Sequence, residues 1–97
     1  MAAYVVLNIE VTDPVRYADY VKVAGATVEQ FGGKYLVRGG TCERLEGPVE
    51  PKRFVILEFP TYERAKAWWT SSEYQTPKEI RQRASISQTI LADGVGA

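Results

Sequence analysis

The sequence contains no histidine and a single cysteine in 97 residues. Those two scarcities exclude whole classes of chemistry. Without histidine there is no Ser-His-Asp or Cys-His triad and no His-ligated haem, and one thiolate cannot furnish the other ligands of a zinc site. No disulfide can close within the chain. Cys42 lies just past the Gly39-Gly40 pair in a loop-like stretch. With no histidine to activate it, it reads as an inert thiol.

An excess charge of either sign is missing too. Twelve acidic residues balance twelve basic ones, so no net field draws the chain to nucleic acid or an anionic membrane. Apolar runs such as Tyr4–Leu7 and Phe54–Leu57 fall far short of the ~20 residues of a membrane span. The chain enters a strand-like run directly, without a basic start or cleavage site of a signal peptide, and the expected location is cytoplasmic. What remains, 45% hydrophobic and 25% charged, is ordinary for one folded domain spanning residues 1–97.

Periodicity orders that domain. Residues 4–11, YVVLNIEV, put Val5, Leu7, Ile9 and Val11 on one parity and Tyr4, Val6, Asn8 and Glu10 on the other, which is a strand with one apolar face. Thr12 or Asp13 caps a helix that starts at Pro14. Its apolar stripe is Tyr17, Val21, Ala24, Val28 and Phe31, and Gly32-Gly33 ends it. A second strand sets Tyr35 and Val37 against Leu36 and Arg38. After a loop, FVILEF forms a third, with Val55, Leu57 and Phe59 opposed to Phe54, Ile56 and Glu58. Pro60 stops that strand, and Thr61 caps a helix carrying Ala65, Trp68 and Trp69. TPKE then starts a short helix, with Thr76 as cap and Pro77 at the first position. SISQTILA alternates as a last strand before the tail DGVGA.

The order β-α-β-β-α-(short α)-β predicts an α+β, ferredoxin-like βαββαβ fold. Its four-stranded antiparallel sheet has the first and third strands at the centre and the helices on one face. The other face then shows Tyr4, Val6, Asn8, Leu36, Arg38, Phe54, Ile56 and Glu58. An apolar patch of that size calls for a partner, and a second copy packed sheet to sheet is the simplest one. Arg38 would sit in the cavity between the sheets with Glu58 as its acid and Asn8 bridging.

The blocks FGGKYLVRGG, LEG, RFVILEFP, AKAWWTSSEYQ and IRQRA, in that order, resemble a bacterial family known as domain of unknown function 1330. The resemblance spans nearly the whole chain. It implies the dimeric α/β-barrel superfamily, whose members include cofactor-free monooxygenases and muconolactone-isomerase-like enzymes. It brings no established catalytic residues.

The expected function is therefore a homodimer holding a small organic molecule, without cofactor or metal. It is either a cofactor-independent oxygenase or isomerase, with Glu58 as base and Arg38 as anion stabiliser, or a binding or purely structural dimer locked by the Arg38–Glu58 pair. Asn8, Tyr20, Phe54, Trp68, Tyr74 and Arg81 are the candidate ligand contacts. Tyr20 is set about 60° off the helical stripe and Trp68 or Tyr74 closes one mouth. Lys78, Arg81 and Arg83 form a basic patch, read as a solvated face with anion capture as the alternative. An RNA-recognition domain shares the topology, but Val55 and Ile56 stand where a small residue and a stacking aromatic are needed. No nucleic-acid or membrane partner is expected.

Overall fold

The computed structural model describes residues 1–96. Strand β1 (Ala3–Val11) leads to helix α1 (Pro14–Gln30), then strands β2 (Lys34–Arg38) and β3 (Arg53–Phe59). Helices α2 (Tyr62–Thr70) and α3 (Ser72–Ala84) follow, and strand β4 (Ser85–Asp93) completes the sheet. The strand order is β2-β3-β1-β4, with every neighbouring pair antiparallel. This is the ferredoxin-like fold that the element order predicts, with β1 and β3 central. Ala97, the last residue of the expected tail, lies outside the described residues.

Strand parity decides the layers. Val5, Leu7 and Ile9 of β1 and Val55, Leu57 and Phe59 of β3 are buried beneath the helices. On α1 the cap is Asp13, whose carboxylate accepts the Arg16 backbone N–H at 3.2 Å, and Pro14 opens the first turn. The buried side of α1 is Tyr17, Tyr20, Ala24, Thr27 and Val28. Val21 and Phe31, expected in the stripe, are only partly buried. Tyr20 and Thr27 take the inward positions because each finds a hydrogen-bond partner there, and buried polar groups need one.

The second half departs from expectation at one helix. The short helix expected after Thr76 begins at Ser72, so that Pro77 stands inside it. Ser71 makes this possible by serving both neighbours. Its backbone N–H donates to the Trp68 carbonyl at 3.2 Å, closing α2, and its hydroxyl accepts the Tyr74 N–H at 3.2 Å, capping α3. Pro77 removes one helical hydrogen bond. Complete burial of Tyr74 in the same turn offsets that loss, at about 1.5–3 kcal/mol for a large apolar side chain.

Trp68, Tyr74 and Phe59 are the largest fully buried side chains. The Trp68 ring lies 4.1 Å from Tyr74 and 5.3 Å from Phe59, centroid to centroid. The Trp68 Nε1–H donates to Thr27 Oγ1 at 3.0 Å, and that hydroxyl donates to the Ala24 carbonyl at 2.7 Å. The one polar atom of the indole is thus satisfied inside the core. Among the described residues no helix is long and apolar enough to cross a membrane.

Candidate functional site

The route to the site is a β-bulge. In the β2–β3 pairing Lys34 stands opposite Glu58 and Tyr35 opposite Leu57, but Val37 then faces Ile56 and Arg38 faces Val55. Leu36 is the extra residue. One inserted residue reverses the facing of everything after it. Arg38 therefore leaves the face of Leu36 and joins Tyr35 on the helix side of the sheet.

This overturns the expected Arg38–Glu58 pair. The two side chains project from opposite faces, and Glu58 instead meets Lys34 at 3.4 Å. Asn8 bridges nothing between them. Its side-chain amide donates to the Glu50 carbonyl at 3.1 Å and its carbonyl accepts the Lys52 N–H at 2.8 Å. It pins the end of the 39–52 segment to the sheet. Phe54 stays on the open face, directly across from Asn8. That face also carries Ile86 and Ile90 of β4, both exposed. Cys42, exposed, points its thiol at the Lys52 carbonyl, 3.5 Å away.

On the helix side, α1 and the sheet enclose a cavity of about 20 Å3, space for about one water-sized molecule. Leu7 and Ile9 of β1 with Val55 and Leu57 of β3 make its floor, and Tyr17, Tyr20, Val21 and Ala24 of α1 make its roof. The mouth is polar, formed by Tyr35, Arg38 and Arg53. Arg53 Nε donates to the Tyr17 hydroxyl at 3.1 Å. The Arg38 guanidinium carbon stands 4.1 Å over the Tyr35 ring, a cation–π contact. Outside, a groove of about 320 Å3 between α1 and β2 shares Tyr35 and Arg38 with the cavity. Arg38 thus stands between an open groove and an enclosed space.

Backbone geometry supports the mouth. Gly39, at φ +72°, occupies the left-handed region, and a side chain there would strike the Arg53 guanidinium. The chain can turn away from β2 and still let Arg53 lie flat against it only because this residue is glycine.

The electrostatics are one-sided. Neither Arg38 nor Arg53 has a carboxylate within ion-pair distance among the described residues. Burial holds the Tyr35 phenol above its ordinary pKa, with the Arg38 charge pulling the other way. Tyr20 is pushed up strongly, first by burial and then by the Tyr74 hydroxyl 2.9 Å away. Both phenols are neutral donors at physiological pH, beside two permanent cations. No His/Cys/Asp/Glu cluster able to hold a metal occurs among the described residues.

Of the remaining expected contacts, Tyr20 lines the cavity while Tyr74 lies behind it, hydrogen-bonded to Tyr20. Trp68 is core and does not reach the cavity. Arg81 is not on a solvated patch: it is 2% exposed, whereas Arg83 lies outside, paired with Glu79 at 2.8 Å. Tyr17, Tyr35 and Arg53 were not among the expected contacts. The signal for Arg53 was present, since it shares the parity of Val55 and Leu57.

The sequence profile of the family described as Domain of unknown function (DUF1330) matches residues 2–95. The chain belongs to that family. No curated protein sequence matches significantly. Among solved structures, the chain resembles a protein of unknown function from Rhodopseudomonas palustris at 19% identity and TM-score 0.77, covering 99% of this chain and 84% of that one. It also resembles SnoaB, a cofactor-independent oxygenase from Streptomyces nogalater, at 10% identity and TM-score 0.67, covering 99% and 95%. A third, from Nitrosomonas europaea and provisionally described as an antibiotic biosynthesis monooxygenase, gives 17% identity and TM-score 0.59, covering 99% and 100%. At these identities the likeness shows the fold this DUF1330 chain shares with monooxygenase-type proteins, and no more.

Proposed function

We propose that this DUF1330 chain binds a small aromatic anion, a phenolate or carboxylate, in the space beneath α1, entered past Arg38 and Arg53. One observation carries the reading: two guanidinium groups without acidic partners converge with three tyrosines on an otherwise apolar cavity. Cations left unpaired at a concave apolar site attract a ligand that brings its own negative charge. The cavity admits about one water, so binding requires the side chains of Tyr35 and Arg38, which line both spaces, to move aside and join groove to cavity.

The chemistry that fits is cofactor-independent oxygenation, with dioxygen as the other reactant. SnoaB, on the same fold, is such an oxygenase. No carboxylate or histidine lines the cavity itself, and the groove adds one carboxylate, the exposed Glu29; the cavity therefore holds no side chain suited to take a proton at neutral pH. A substrate acidic enough to arrive ionised needs no such base. The arginines would hold its charge and Tyr20 or Tyr35 would donate to the oxygen on which charge collects. Isomerisation, which must move a proton, is disfavoured by the same inventory. The protomer is proposed to act as a homodimer through its open sheet face, where Ile86, Ile90 and Leu36 stay exposed.

A thermal-shift and oxygen-uptake screen of dihydroxynaphthalenes and salicylates tests this. The expected result is a saturable rise in Tm that Arg38→Ala and Arg53→Ala each reduce, with oxygen consumed by at least one phenol. Absence of any shift across the screen, or shifts unaffected by both substitutions, overturns it.

A further inference from the structure

Elsewhere a cation is buried without an acidic partner. Arg81 on α3 is 2% exposed, its Nε has no hydrogen-bond partner, and no carboxylate pairs with it among the described residues. A buried guanidinium with nothing opposite it is costly. Such a group calls for an explanation, and a ligand from outside the chain supplies one.

The surroundings say what. Arg81 lines an open cleft of about 350 Å3 between α3 and β4, together with Trp69, Gln82, Ser85, Ser87 and Thr89. One wall is the Trp69 ring, with the Arg81 guanidinium carbon 5.8 Å from its centroid and the Lys78 ammonium 4.4 Å from it. The other wall is a row of hydroxyls on alternate residues of β4, all on the helix side of the sheet. Ser85 donates to the Arg81 carbonyl at 2.6 Å and so accepts from Ser87 at 2.6 Å, which leaves Thr89 as the hydroxyl of the row with its proton uncommitted. The Lys78 ammonium is made less basic by burial and by the charge of Arg81. The one charged side chain lining the cleft is Arg81, and no acidic side chain lines it.

We propose that the α3–β4 cleft is an oxyanion-binding site, taking the carboxylate or phosphate group of a small molecule on the Arg81 guanidinium with the Thr89 hydroxyl of β4 beside it. It is separate from the cavity beneath α1. No residue lines both. The planar fork of an arginine suits either oxyanion, and the two are told apart by titration.

The test measures Tm and tryptophan fluorescence while sodium acetate or sodium phosphate is added at constant ionic strength, against sodium chloride. Wild type is expected to respond saturably to one of the two anions, identifying the group. Arg81→Met is expected to raise Tm in anion-free buffer, because an unpaired buried charge is removed, and to weaken the response by roughly tenfold or more. Ser87→Val narrows the cleft without touching Arg81 and should weaken the response too. Arg38→Ala should leave it intact, which separates this site from the one beneath α1. No saturable response beyond chloride in wild type overturns the proposal, as does a response that survives Arg81→Met. If Arg81→Met fails to fold, Ser87→Val decides: retention of the full response overturns the site. Conversion of a dimer to a monomer by Arg81→Met, with no anion response in wild type, assigns the charge to a partner copy and overturns it as well.

Discussion

The hydroxyls of Tyr20 and Tyr74 meet 2.9 Å apart inside the protein, joining α1 to α3 across 54 residues of sequence. Burial and this contact hold the Tyr20 phenol far above its ordinary value. Below about pH 10 the phenol is neutral in both folded and unfolded chains and its titration contributes nothing. Above that, the unfolded chain releases the proton while the folded one retains it, so stability falls with rising pH at ~1.4 kcal/mol per unit. Urea denaturation between pH 8 and 11 should show that decline. Tyr20→Phe should flatten it, while costing about 1–2 kcal/mol at neutral pH by leaving the Tyr74 hydroxyl unpartnered.

Glu58 is expected to matter little. Its Lys34 partner is largely exposed, and such pairs contribute about 0–1 kcal/mol. Glu58→Gln should leave aromatic-anion affinity unchanged by isothermal titration. A collapse in affinity would return the site to the open sheet face.

Gly33 is expected to tolerate no side chain. A Cβ there would sit 2.7 Å from Phe59 Cε1 and 2.8 Å from Val28 Cγ1, both on buried residues that cannot give way cheaply. Gly33→Ala should lower unfolding free energy by roughly 1–3 kcal/mol, read as a drop in the denaturation midpoint at constant m-value.

Asn8 staples the 39–52 segment through two backbone partners, Glu50 and Lys52. Asn8→Ala should cost about 1–2 kcal/mol and speed limited proteolysis within 39–52. Unchanged cleavage rates would mean the segment is held by other contacts.

Ile90 is half exposed at 52% on the open face of β4. If that face joins two protomers, Ile90→Lys should yield a monomer by light scattering with its circular dichroism preserved. A wild-type monomer would remove the dimer from the proposal.

The sequence by itself determined the fold. The alternation in β1 and β3, the Asp13-Pro14 and Thr61 helix starts, and the run of Gly32-Gly33 are local signals, and local signals suffice for element type and order. It also determined which chemistry is absent, since a chain without histidine cannot bring one to any site. Tertiary structure decided the rest. Pro77 reads as a helix start, yet lies inside α3 because Ser71 offers a cap and Tyr74 a core position one turn earlier. The facing of Arg38 was beyond local reading for a sharper reason. A bulge is set by how β2 pairs with β3, and nothing in the order Tyr35-Leu36-Val37-Arg38 marks which residue will be skipped. One skipped residue moved the guanidinium through the sheet, from the expected partner-facing side to the space beneath α1.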